Sequence, residues 1–160
     1  MNTAYERCED YRDEWLTPPW VIELLGPFDL DPCSPVRRPW DTAKVHYTIE
    51  DNGLWKEWEG LVWLNPPYSN LIPFLQRMVE HDNGVALLYA RTDTEWFHRY
   101  VFDKARELFF LRGRLRFYNV DGREAKNSAG APSVLVAYGE EARERLSRLS
   151  NDKGKHVYLR

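Results

Sequence analysis

Hydrophobic residues in this chain fall into short blocks separated by proline, glycine and asparagine, and the spacing within each block predicts an element. Leu61-Val62-Trp63-Leu64 and Val85 to Tyr89 are continuous apolar runs of strand length, the pattern of strands buried on both faces of a parallel sheet. Phe28-Asp29-Leu30-Asp31 alternates as a strand does and stops at Pro32. Glu107 to Leu111 predicts another strand, and Arg114 to Tyr118 and Ser133 to Tyr138 two more around the turn Asn119-Val120-Asp121-Gly122. Between these, Leu71, Phe74, Leu75, Met78 and Val79 recur at helical spacing until Asn83-Gly84. Thr94 to Ala105 predicts a helix with Phe97, Val101 and Phe102 on its apolar face. Thr17-Pro18-Pro19 is a helix entry, with Thr17 as cap, leading into Trp20 to Leu25 and a stop at Gly26-Pro27. A charged helix follows from Glu140 to about Leu149, while Asn52 to Gly60, with Trp55 and Trp58 amid charges, is a turn or short helix. The order strand, helix, strand, helix, strand predicts right-handed crossovers, hence an α/β fold with a mostly parallel sheet and helices on both faces.

At 160 residues the whole chain, 1–160, is expected to form one domain. The polar segment 1–14 and the polar tail 151–160 have the composition of loose ends, although His156 to Leu159 could add an edge strand. No apolar run reaches the length of a membrane span and the first residues do not read as a signal peptide, so a cytoplasmic protein without membrane partners is expected. Cys8 and Cys33 are too few for a disulfide framework or a zinc set, and the four histidines lack ligand spacing, so no metal is expected. Seven Trp, nine Tyr and seven Phe suit stacking as well as core packing. A net charge of −3 argues mildly against a nucleic-acid partner. Locally the balance reverses: Arg112, Arg114, Arg116, Arg123 and Lys126 lie close together, only partly offset by Asp121 and Glu124. Such a cluster is either a solvated face or a phosphate-contacting one.

Ligands of open parallel α/β sheets bind outside the carboxyl ends of the strands, where Asp31 and Asn65-Pro66-Pro67-Tyr68 both fall. An amine conjugated to an aromatic ring, such as the 6-amino group of adenine, is a poor nucleophile because its lone pair is delocalised. The Asn65 side-chain oxygen and the Pro66 carbonyl could accept its two hydrogens and favour a tetrahedral nitrogen. Pro66 and Pro67 hold that carbonyl in a fixed direction, and Tyr68 offers a face for stacking on a base turned out of its helix. Arg91, Asp93 and Trp96 occupy a neighbouring strand-end loop; they could contact a target strand, and an Arg–Asp pair packed on Trp96 explains them equally well.

At these residues the chain resembles the amino-methyltransferases, whose catalytic motif has the form Asp/Asn/Ser-Pro-Pro-Tyr/Phe. It is more closely similar to the phage-type DNA adenine methyltransferases of the Dam family. The matching stretches DEWLTPPW, FDLDPCS, VWLNPPYS, ALLYARTDTEWFH, GRLRF and APSVLVAYG run in the family's order from Asp13 to Gly139. The resemblance implies a Rossmann-like, AdoMet-dependent methyltransferase that modifies the 6-amino group of adenine in DNA, in the host cytoplasm if phage-encoded. It further implies S-adenosyl-L-methionine as cofactor, with Thr17 and Pro18 flanking its methionine part and Asp31, followed by Pro32, at its amino or ribose end. Arg91, Arg112, Arg114 and Arg116 then become candidates for DNA contact. One departure is the absence of a glycine-rich loop after the first strand, where Asp31-Pro32-Cys33-Ser34-Pro35 stands instead. Asn-Pro-Pro-Tyr alone also occurs in enzymes that methylate RNA or a protein glutamine. That acceptor class, and an inactive nucleic-acid-binding relative, stay open as alternatives. So do plainer roles for Asp31, as a cap or a partner of Arg37 or Arg38, and for Thr17 as an N-cap.

Overall fold

Alternation along buried strands sorts the core into two layers, one on each side of a seven-stranded sheet. The computed structural model describes residues 15–160; the segment 1–14, expected to be loose, lies outside the described residues. The strands are β1 (Leu30–Asp31), β2 (Val45–His46), β3 (Val62–Leu64), β4 (Gly84–Tyr89), β5 (Glu107–Leu111), β6 (Ser133–Tyr138) and β7 (Gly154–Tyr158). Their order across the sheet is β2-β1-β3-β4-β6-β5-β7. On one face, Val62 and Leu64 of β3, Ala86 and Leu88 of β4 and Val134 and Val136 of β6 pack against helix α2 (Leu71–His81) and a π-helical segment, Phe97–Phe102. On the other, Trp63, Val85, Leu87, Leu135 and Ala137 meet α1 (Pro19–Leu25) and α3 (Glu140–Leu146). Helices thus cover both faces, as the double-sided apolar runs require.

The expected mostly parallel sheet is corrected in one respect. β1 pairs in parallel with β2 and β3, and β3 with β4, but β4–β6, β6–β5 and β5–β7 are antiparallel. β6 inserts between β4 and β5, so the crossover from β4 to β5 skips one strand position. Following the pairings around, β1 to β5 all point the same way and only β6 and β7 are reversed. The carboxyl ends of five strands therefore lie along one edge.

Other boundaries shift for local reasons. Arg114 to Tyr118 is not a strand of the sheet: it makes only isolated bridges at Tyr118, with Leu16 and with Glu124 across the expected turn, while the Leu115 and Phe117 carbonyls accept the Ala129 and Ala125 N–H groups of the following loop. Alternation survives there, with Leu115 buried and Arg114 and Arg116 exposed. The helix expected over 94–105 tightens its useful length to the π-helical segment, and α3 ends at Leu146. Thr17 is not the N-cap of α1: Pro18 holds that position and no side chain caps the helix. The tail is not loose, since residues 154–158 form edge strand β7 in register with β5. His156 fastens it, its Nδ1 lying 2.6 Å from the buried Glu107 carboxylate and its Nε2 donating to the Leu149 carbonyl at 2.8 Å.

Candidate active site

The chain runs from β1 outward to β2, then returns past β1 to β3 on its other side. That reversal opens a crevice at the carboxyl ends of β1 and β3, the place where ligands bind in open α/β sheets. Asp31 is the last residue of β1, and Asn65 follows the last residue of β3.

Asp31 is 4% exposed. One carboxylate oxygen accepts the Cys33 backbone N–H at 3.0 Å, the local turn-capping role, and the other accepts the hydroxyl of Thr42. Arg38, a candidate from the sequence for balancing it, is bound instead to Asp41 and the Pro35 carbonyl. Among the described residues no cation pairs with Asp31. Burial accordingly pushes its carboxyl up to about 6, against the lowering influence of Thr42, Cys33 and the more distant Arg38. Pro32 is buried behind it, and Gly53 lies so close that a Cβ there would come within 2.5 Å of the Pro32 carbonyl. Glycine at this position lets the loop after β2 lie directly on the Asp31-Pro32 turn.

Across the crevice, the Asn65 side-chain amide donates to the Trp15 carbonyl at 3.3 Å. This leaves its side-chain oxygen as an acceptor with no partner among the described residues. The Pro66 carbonyl likewise accepts nothing there, whereas the Pro67 carbonyl takes the Asn70 N–H at 3.1 Å and starts the turn into α2. Two acceptors thus stand together at the end of β3, held by a buried strand and a proline pair.

Tyr68 is anchored more firmly than its sequence position implies. Its hydroxyl accepts the Tyr89 backbone N–H at 2.5 Å, and its ring lies 5.0 Å from that of Tyr89 at 31°. Trp96 meets it edge-on at 6.5 Å. Burial raises the phenol well above its ordinary value, so it stays protonated. The motif loop is therefore tied to the end of β4, and Arg91 follows that end two residues later.

The segment before α1 completes the surroundings. Leu16 exchanges backbone hydrogen bonds with Tyr118, at 2.9 and 3.0 Å, which lays Trp15 to Pro18 beside Asn65; Thr17 is 2% exposed and Pro18 is buried. Next to Pro18 a groove of about 360 Å³ is bordered by Arg112, Arg114, Arg116 and Lys153, with Glu124 and Asp152 among its walls. Arg114 donates to the Gly130 carbonyl at 2.8 Å, and Arg116 pairs with Glu124 at 3.5 Å. The exposed Arg112 side chain has no such partner among the described residues. Arg112, Arg114 and Arg116 thus gather at one groove, joined by Lys153 from the turn before β7, whereas Arg91 and Arg123, also picked out in the sequence, do not border it.

Residues 6–157 match the family DNA N-6-adenine-methyltransferase (Dam). The chain belongs to this family. A protein of Haemophilus phage HP1 (strain HP1c1) named DNA N-6-adenine-methyltransferase is 30% identical over 153 residues, covering 89% of this chain and 87% of the relative. One of the same name from Escherichia phage T1 is 32% identical over 159 residues, covering 92% of this chain but 62% of the relative. No solved structure matches. The span matched to the Dam family includes Thr17, Asp31, Asn65, Tyr68 and all the arginines of the groove. Among the described residues of this Dam-family chain, no helix is long and apolar enough to cross a membrane, and no cluster of three His, Cys, Asp or Glu could hold a metal.

Proposed function

We propose that this chain transfers a methyl group from S-adenosyl-L-methionine to the 6-amino group of adenine in DNA, the adenine being turned into the pocket of Asn65, Pro66, Pro67 and Tyr68. The observation that carries the reading is the pair of acceptors at Asn65 and Pro66, without partners among the described residues, facing a buried Asp31 across the crevice of a Dam-family chain. The cofactor supplies an electrophilic methyl group on a sulfonium. Its ammonium suits Asp31, whose carboxylate is desolvated and has hydrogen-bond donors but no counter-charge among the described residues. Thr17, Pro18 and Pro32 would line the same space.

The Asn65 oxygen and the Pro66 carbonyl accept the two amino hydrogens, which directs the nitrogen lone pair toward the methyl carbon. When bound, the cofactor would supply its methyl carbon to that nitrogen and keep the carbon–sulfur electron pair as a neutral thioether, and the surplus proton of the amine would pass to solvent. No strong base is needed, so positioning is the main contribution of the chain. Arg91 and the groove bounded by Arg112, Arg114 and Arg116 are assigned to phosphate contact, which would reconcile an acidic chain with a polyanionic substrate.

Tritium-labelled AdoMet offered in parallel with unmethylated DNA, RNA and protein tests the reading. Label is expected in N6-methyladenine from the DNA. Label in methylcytosine, RNA or a glutamine side chain would overturn the assignment, and AdoMet binding without any transfer would indicate a relative that has lost turnover.

The anchored hydroxyl makes Tyr68 informative in two ways. Tyr68→Phe keeps the ring but leaves the Tyr89 N–H without its acceptor, and is expected to lower stability by about 1–2 kcal/mol with modest loss of turnover. Tyr68→Ala should lower turnover further, since the stacking face goes too. Thermal melts and methyl-transfer rates measured side by side check this; equal turnover in the two variants would remove the stacking role.

A further inference from the structure

Thr42 and His46 belong to no motif, yet the structure joins them to the crevice. His46 ends β2, directly in register with Asp31 of β1. Its side chain is 6% exposed, and its Nε2 accepts the backbone N–H groups of Thr42 at 3.1 Å and Ala43 at 3.3 Å. A nitrogen that accepts two N–H groups carries no proton, so the ring is neutral with its hydrogen on Nδ1. Thr42, itself 6% exposed, then donates its hydroxyl to Asp31. The ring thus holds a turn of backbone, and that turn presents one hydroxyl to one carboxylate oxygen.

We propose that Thr42, held from behind by His46, is a positioning residue that sets the rotation of the Asp31 carboxylate for the cofactor's ammonium; this rests on the reading that Asp31 binds that ammonium. With Cys33 N–H on one oxygen and Thr42 on the other, the carboxyl plane is fixed before any ligand arrives. The charged neighbours do not substitute for this device. Arg38 is committed to Asp41, Lys44 to Asp29, and the half-buried Cys33 thiol is held neutral by desolvation and by Asp31 itself. Burial and Arg38 also keep His46 below its ordinary value, opposed by Asp41, so the relay stays intact at neutral pH.

The test compares Thr42→Val, which keeps shape without a donor, and Thr42→Ser, which keeps the donor, with Asp31→Asn as reference. Calorimetric titration with AdoMet is expected to show about tenfold weaker binding for Thr42→Val and near-normal binding for Thr42→Ser, with kcat at saturating AdoMet unchanged in both. Without AdoMet, a carboxyl-carbon NMR titration should place the Asp31 midpoint higher in Thr42→Val than in wild type or Thr42→Ser, because a donor to the ionised form is lost. Should Thr42→Val fail to fold, a raised midpoint and weakened binding in His46→Gln, relative to Thr42→Ser, support the proposal equally, and their absence counts equally against it. Wild-type affinity and midpoint in Thr42→Val, with Asp31→Asn strongly impaired, would overturn the positioning role alone. Unimpaired binding by Asp31→Asn would instead overturn the Asp31 reading beneath it.

Discussion

Asn65→Ala is expected to reduce kcat by about 10²–10³-fold, the scale seen when a preorganised hydrogen-bonding group at a reacting centre is removed. AdoMet affinity should change by no more than about threefold, because the side chain acts on the target amine. Within the described chain its side chain is held by the bond to the Trp15 carbonyl, at 3.3 Å. Loss of that bond loosens the Trp15 to Pro18 segment a little, which accounts for the small residual effect on cofactor binding. Asn65→Asp keeps an acceptor at the same place and should retain more turnover than alanine. Single-turnover methyl transfer combined with AdoMet calorimetry checks all three statements. A parallel collapse of AdoMet binding in the alanine variant would move Asn65 from the amine to the cofactor.

Asp31→Asn should divide stability from function. In the free protein the carboxyl titrates at about 6 instead of 3.8, because burial disfavours its charge. A carboxyl whose folded value is raised stabilises the fold fully below about 3.8 and loses that contribution as pH rises through about 6. At neutral pH the buried charge therefore costs the free protein roughly 3 kcal/mol relative to a neutral group, at 1.36 kcal/mol for each unit. Asparagine removes the cost while keeping an oxygen for the Cys33 N–H, so the free variant should melt at a higher temperature at pH 7. AdoMet affinity should fall by about 10²-fold, since its ammonium loses a desolvated partner. For the wild type the two trends run oppositely: lowering pH through about 6 stabilises the free protein at this group and weakens AdoMet binding. Melting curves without ligand and calorimetry across that pH interval read out both. A variant that melted lower and bound AdoMet normally would contradict the assignment.

How far the sequence carries can be judged residue by residue. Leu61 to Leu64, Val85 to Tyr89 and Ser133 to Tyr138 were legible as strands because burial on both faces leaves no polar position to blur them. Arg114 to Tyr118 misled because alternation records which side of the backbone is buried, and the same burial arises in a loop packed against the apolar layer on one face of the sheet. The place of β6 between β4 and β5 was not legible, since both orders give the same local pattern. Asp31 and Asn65-Pro66-Pro67-Tyr68 stood out through position at strand ends. Thr42 and His46 gave no local sign, because their role depends on contacts formed across 11 and 4 positions and on a pairing between strands. Lys153 is brought to the arginines by the turn before β7, a long-range effect of the same kind.

The central placement of β6 also bears on biosynthesis. As the chain leaves the ribosome, β1 to β4 and β5 emerge well before residues 133–138, and until then β4 and β5 have no strand to join them. Both expose backbone edges flanked by Val85, Leu87, Leu108 and Phe109, all buried in the finished protein. Unpaired apolar edges invite pairing with other chains. A translation stop anywhere between Arg112 and Pro132 would spare Asp31, Thr42, Asn65 and Tyr68, yet leave the four strands β2-β1-β3-β4 with an open margin and β5 with no strand on either side. The integrity of a crevice built from residues 31–68 is thus underwritten by a strand made much later, at residues 133–138.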